Sequence, residues 1–211
     1  MRYVSIALSV EGPTDKAFLW PIVYRTAFSL ATDAVIQESP HFIDCEDNDT
    51  RAQEICSRSK DFDVFAIHAD ATRAAKSRIT ETIIGAIRNK VVSRSDINEN
   101  RVVGLGTVSE MESWALCSPQ AIAESLGFQT WPDRCQISWT PSETETLPDP
   151  KRTLSEALEG LLRRPLSHVL HYETLEALGE NVPLAELALL PSYRQFRDDM
   201  RACLTALGAA R

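Results

Sequence analysis

From Tyr3 to Val10 the chain alternates: Val4, Ile6, Leu8 and Val10 fall on one face, and Ser5, Ala7 and Ser9 on the other. Small residues can also be buried, so this pattern predicts a central strand. It stops at Glu11-Gly12-Pro13. Thr14 or Asp15 then caps a predicted helix whose apolar positions Phe18, Leu19, Ile22, Val23, Ala27 and Leu30 recur at helical spacing, bent at Pro21, which lacks a backbone donor. A short extended piece over 41–45 leads into the acidic loop Glu46-Asp47-Asn48-Asp49 and a helix over 50–59. The nearly unbroken apolar run from Val64 to Ala69 reads as a strand covered on both faces, ending at Asp70, with a long helix over 72–92 behind it. A fourth strand, over 102–108, ends at Ser109-Glu110-Met111-Glu112-Ser113-Trp114, where another helix begins.

Such alternation predicts an α/β fold with a mainly parallel central sheet flanked by helices. After Leu126 the pattern changes. Trp131-Pro132, Thr140-Pro141 and Leu147-Pro148-Asp149-Pro150 punctuate a loop-rich stretch, and only helical periodicity follows: Leu154, Leu158, Leu161 and Leu162, then Leu184, Leu187 and Leu190, then Tyr193, Phe196, Met200, Cys203, Leu204 and Leu207. The organisation expected is an α/β domain over 1–127, a connection over 128–150 and a helical C-terminal part over 151–211 packed on the first domain.

Composition narrows the class. With 211 residues, 44% hydrophobic and 25% charged, the chain is an ordinary globular one, neither disordered nor collagen-like. A formal charge of −8 argues against a surface that coats nucleic acid by counterion release, yet leaves room for a local basic strip or a bridging metal. The five cysteines show neither C-x-x-C nor zinc-ligand spacing and read as reduced. With no signal-like or membrane-spanning segment, the expected location is the cytoplasm, without a membrane partner.

In an open parallel sheet, ligands bind outside the carboxyl ends of the strands. Three predicted strands end there in carboxylates: Glu11, Asp70, and Glu110 with Glu112. Carboxylates brought together from separate strands repel one another unless a hard cation sits between them, and Mg²⁺ fits best. The other reading is that each acid caps the helix that follows, where the helix dipole favours negative charge. Pattern alone leaves both open. Glu110 and Glu112 share a side only if their segment is extended, since on a helix they point about 200° apart. Trp114 reads as core, packed between helix and sheet. The helix after Asp70 carries an excess of basic residues; Arg73 and Lys76, nearest the acids, are candidates for a phosphate backbone, and a solvated face is the alternative. Lys151, near the start of a helix, suits a polar or phosphate partner. His168 and His171 lack a third ligand and read as surface or core residues.

The stretch Val10-Glu11-Gly12-Pro13-Thr14-Asp15-Lys16-Ala17-Phe18-Leu19 resembles the opening of Toprim domains, the fold shared by primases, topoisomerases and OLD-family nucleases. The chain is similar above all to small stand-alone bacterial Toprim proteins encoded beside an AAA or ABC-type ATPase. His68-Ala69-Asp70-Ala71-Thr72-Arg73, Glu110-Met111-Glu112-Ser113-Trp114, Asp149-Pro150-Lys151 and Pro191-Ser192-Tyr193-Arg194-Gln195-Phe196 resemble further motifs of that group, in the same order. The resemblance implies a Toprim-like fold and Mg²⁺-dependent, or Mn²⁺-dependent, cleavage of DNA or RNA. In that scheme Glu11 is general acid or base as well as metal ligand, Asp70 and Lys151 are catalytic, Asp70, Glu110 and Glu112 hold metal, and Asp15, His68 and Thr72 are auxiliary. It further implies nucleic acid and a partner ATPase, with a role in defence against phage, and leaves a homo-oligomer open. One departure matters: Thr72 stands where the group has the second Asp of Asp-x-Asp, or else His68 stands where it has the first. One acid is missing either way. A scaffold that has lost catalysis and serves as a regulatory or binding subunit of an ATPase complex is the alternative. A third reading is a Mg²⁺-dependent enzyme acting on free nucleotides.

Overall fold

The structure, a computed structural model, describes residues 1–44, 47–71, 80–133, 135–165 and 167–210. Its first half follows the predicted alternation. Strands β1 (Arg2–Val4) and β2 (Ile6–Val10) lead into helix α1 (Pro13–Leu30); β3 (Ala34–Ile36) and β4 (His41–Asp44) lead into α2 (Asn48–Ser57). Strand β5 (Val64–Ala71) is followed, within the described residues, by a π-helical turn (Thr80–Ile84) running into α3 (Gly85–Arg94), and then by β6 (Val102–Val108).

The main sheet has the order β4-β2-β5-β6, and every pairing is parallel. The chain adds β4 on one side of β2 and then crosses to add β5 on the other, so the winding reverses between β2 and β5. Two apolar layers reflect that reversal. Ile6, Leu8 and Val10 of β2 point into a core with Phe18, Leu19, Ile22 and Val23 of α1. Ala7 points the other way, towards Ile55 of α2 and Ile87 and Val91 of α3, with Phe65 and Ile67 of β5 beside it. Central strands buried on both faces need apolar residues at successive positions, which is why β5 reads as a continuous apolar run.

Two details depart from the expected elements. The single strand over 3–10 is broken at Ser5, whose N–H donates to Asp63 Oδ2 at 2.9 Å and whose carbonyl accepts from the N–H groups of Asp63 and Val64. The unpredicted β3 pairs with β1 in a separate two-stranded parallel ladder, and Gln37 N–H donates to Val4 O beyond it. The first part of the helix expected over 72–92 lies outside the described residues.

Everything after β6 is helical or irregular among the described residues: α4 (Glu112–Ala115), α5 (Pro119–Ser125), a 3₁₀ turn (Pro141–Thr146), α6 (Pro150–Leu162), α7 (His168–Asn181), α8 (Leu184–Leu187) and α9 (Pro191–Ala206). Leu154, Leu158 and Leu161 of α6, Leu175 and Leu178 of α7, and Tyr193, Phe196, Met200 and Leu204 of α9 join the core on the α1 side of the sheet. That core is continuous across residues 127 and 150. Helices α1 and α7 approach closely at Gly179, where a Cβ would stand 2.3 Å from the carbonyl oxygen of Phe18. Arg25 Nη1 fastens the same crossing by donating to Gly179 O at 3.0 Å.

The amino-terminal end of the sheet is closed by side-chain bonds. Arg101 donates to the carbonyls of Ser59, Phe62 and Asp63, and Arg2 donates to Leu207 O at 2.6 Å and to Asp63 Oδ1 at 3.4 Å. A cavity of about 410 Å³ lies over these groups. No described helix is long and apolar enough to cross a membrane.

Candidate functional site

The opposite end of the sheet gathers the predicted residues. A reversal of winding leaves a crevice outside the carboxyl ends of the two strands where it occurs, here β2 and β5. Glu11 directly follows β2 and is exposed; Asp70 lies near the end of β5. Glu110 follows β6 by two residues, and Glu112 opens α4 with only 4% of its surface exposed. The segment turns sharply at Ser109, which has a left-handed backbone with φ 69°. A non-glycine residue there is strained, and such residues concentrate at functional sites.

His68 is the centre of the arrangement. It is fully buried, on the same face of β5 as Asp70. Its Nε2 lies 3.1 Å from Thr107 Oγ1 and 3.2 Å from Asp70 Oδ1, while Thr107 donates its hydroxyl to Asp70 Oδ1 at 2.5 Å. Register explains the triad, since β5 and β6 pair Asp70 with Thr107 directly. The other ring nitrogen, Nδ1, is 3.8 Å from Asp15 Oδ2. Asp15 is itself fixed at the start of α1, where Oδ2 accepts from Gly12 N–H at 2.9 Å.

The charges on these groups are coupled. Burial opposes a charge on His68, but the hydrogen bond and charge of Asp70, with the charges of Asp15 and Glu11, raise its pKa. Burial likewise opposes ionisation of Asp70, yet His68, Thr107 and the charge of Lys151 hold its carboxyl below the usual range. Glu112 is pushed up to about 7 by burial, with Glu110 and Asp70 adding repulsion and Lys151 opposing it. The carboxylates at the ends of β5 and β6 thus lie within one another's field, and Glu11 after β2 acts on the same His68 as Asp70.

Helix α6 completes the rim. Asp149 caps it by accepting from Arg152 N–H at 2.8 Å, and Glu110 Oε2 accepts from Lys151 N–H at 3.2 Å. Glu110 therefore does cap a helix, but one that begins forty residues later, and so draws the Asp-Pro-Lys segment to the sheet. Lys151 also opposes a charge on His171 of α7, whose pKa is lowered first by burial and then by Lys151 and His168.

Trp114 is fully buried, as expected of core, edge-on to Tyr193 with ring centres 5.4 Å apart and tilted against Phe196. Its Nε1 donates to Ser192 Oγ at 2.7 Å, and Ser192 donates in turn to buried Glu145. The tryptophan motif after β6 and the Ser-Tyr-x-x-Phe motif of α9 are thus two halves of one packing unit beneath Glu112.

Of the predicted residues, Glu11, Asp15, His68, Asp70, Glu110, Glu112 and Lys151 meet at this rim. Thr72, Arg73 and Lys76 lie outside the described residues. Sequence reasoning missed Thr107, whose only signal was a hydroxyl near the end of an apolar strand. It also missed Arg51 of α2, 2% exposed, whose Nη1 donates to His68 O at 3.3 Å.

Among the described residues, Ser9 Oγ, His68 Nδ1 and Ser109 Oγ are buried at this end of the sheet without a hydrogen bond. Buried polar groups in folded proteins are nearly always paired, so orphans mark places where water, an ion or a ligand belongs. The donors are hard oxygens, suited to Mg²⁺ or Mn²⁺. Among the described residues no three His, Cys, Asp or Glu side chains form a ready ligand set. Mg²⁺ usually takes only one or two carboxylates, with waters and phosphate oxygens filling the shell, so the donor set still fits it. Compared with protein-family models, characterised proteins and solved structures, the chain matches none.

Proposed function

We propose that this protein hydrolyses phosphodiester bonds of DNA or RNA with the help of Mg²⁺ or Mn²⁺ at the carboxyl rim of its sheet, as a Toprim-like enzyme. The observation that carries this reading is that Glu11 and Asp70 both act on buried His68 where the winding reverses between β2 and β5, with Glu110 and Glu112 in the field of Asp70 beyond the neighbouring β6, beside unpaired buried polar atoms. A bound cation would supply charge neutralisation of the scissile phosphate and a more acidic water. Asp70, oriented by Thr107 and His68 through one oxygen, keeps Oδ2 for that cation. Glu112, near 7, is poised to hold or release a proton at neutral pH. Glu11, at the open side, is placed to exchange a proton with the reacting oxygens. Lys151 brings positive charge for the phosphate.

A partner ATPase belongs to the same reading: with a net charge of −8, the chain gains from a subunit that delivers the polymer to it. The alternative, a scaffold without catalysis, is favoured by one observation, the lack of a three-side-chain ligand set among the described residues.

The test is incubation with supercoiled plasmid, single-stranded DNA and RNA in Mg²⁺, Mn²⁺ or EDTA, with Asp70→Asn and Glu11→Gln as controls. Cation-dependent cleavage lost in both variants supports the enzyme. Cation binding seen by calorimetry without cleavage, also with a neighbouring ATPase added, replaces it with the scaffold reading.

A further inference from the structure

We propose that a second site, on the outer side of α6, binds an unpaired nucleobase of the substrate strand; this rests on the nucleic-acid reading above. The cavity measures about 260 Å³ and lies between α6 and the loop that precedes it. Its wall is Trp131, half-buried and clamped by a hydrogen bond from Nε1 to Cys135 O at 2.6 Å and by edge-to-face contact with Trp139. Its floor is Ala157, partly buried beside the leucine face of α6, and exposed Gly160, three residues further along. Gln136, Glu156 and Arg163 stand around it.

Gly160 is the independent clue. A glycine inside a helix costs about 1 kcal/mol relative to alanine, and packing normally explains why one is kept. Here a Cβ would meet no atom of the described residues within 4 Å. No neighbour demands the glycine; what it provides is a bare helix backbone at the cavity floor.

An aromatic wall, a flat floor and a ring of hydrogen-bonding groups match a planar heterocycle with a π face and a polar edge. Glu156 accepts from an exocyclic amine while its Oε1 is held by Arg152 Nε at 2.7 Å; Gln136 and Arg163 supply donors. A phosphate would leave Trp131 unused, and an aliphatic group would leave the polar ring unpaired. Position links the cavity to the rim. Ala157 and Gly160 lie about 9 Å and about 14 Å along α6 from Lys151, a short step along a single strand.

The experiment follows the four indole N–H signals by NMR, with Trp131 assigned from Trp131→Phe, during titration with short single-stranded oligoadenylate in EDTA. The signal of Trp131 is expected to shift, and Gly160→Leu, which fills the cavity and improves the helix, is expected to remove the shift and weaken binding about tenfold. Asp70→Asn is expected to keep the shift; a shift given by the unsubstituted protein, with no cleavage when Mg²⁺ or Mn²⁺ replaces EDTA, sinks the hydrolase reading and leaves the base site standing. An unchanged shift in Gly160→Leu overturns the base site whatever the cleavage assay gives. A shift produced by a tyrosine-containing peptide and not by oligoadenylate overturns it in favour of a protein ligand.

Discussion

The two ends of the parallel sheet satisfy their polar groups in opposite ways. At the amino end Arg101 takes three carbonyls, and Ser5 and Asp63 close on each other. The orphan atom on that side, Arg88 Nε, belongs to a guanidinium already bonded through Nη2 to Val102 O at 2.9 Å. At the carboxyl end Ser9, His68 and Ser109 each keep an unpaired atom, and acids crowd together. A cavity of about 410 Å³ nevertheless lies at the amino end. Volume is the poorer guide here: a cavity whose lining is internally bonded has little to offer a ligand, whereas unpaired groups and mutual repulsion have something to gain from one.

The contrast can be broken at either end. The largest effect expected is from Asp70→Asn, which should lower cation-dependent cleavage about a thousandfold, since a bound cation contributes several kcal/mol to the transition state. Melting temperature measured alongside should also fall, because buried His68 loses its carboxylate partner, so cleavage is compared at a temperature where both proteins are folded. Next is Arg101→Ala, which strands three carbonyls and should cost about 3 kcal/mol in urea unfolding while leaving cleavage intact.

Glu112 gives a pH test of the repulsion. Its folded pKa, about 7, lies above the ordinary carboxyl value of 4.5, so the folded state holds the proton more tightly than the unfolded one. The stability linked to that proton is complete below about pH 4.5 and is lost as pH rises through about 7, a fall of about 2–3 kcal/mol. Glu112→Gln should flatten this part of the stability–pH curve, and Mg²⁺ should offset the loss at pH 8 if the cation relieves the crowding. The smallest effect is expected from Ser192→Ala, which cuts the bridge between Trp114 and Glu145 and should cost about 1–2 kcal/mol without altering the cation requirement.

Local signals made much of this molecule readable before its structure. The strand before Glu11, the apolar run ending at Asp70 and the amphipathic Tyr193 to Leu204 face all carry a period that only one element satisfies. The three-residue β3 has no period to read, and the break at Ser5 depends on Asp63, far along the chain. For the site, the strand-end acids were legible because parallel strands align their carboxyl ends. Thr107 was not, because its role comes from register with Asp70. Nor was the capping of α6 by Glu110, because a helix start says nothing about which distant acid will meet it.

Helix α9 lies over β6: a Cβ on Gly104 would stand 3.8 Å from Asp199 Oδ2, and Tyr193 and Phe196 seal Trp114 from below. The described strands are therefore all synthesised before the helix that covers β6. A nascent chain paused ahead of residue 191 can already cover β2 with α1, but the apolar residues of β6 and Trp114 still wait for α9. The acidic rim, braced from beneath by that same lid, acquires its final shape only once α9 has been made.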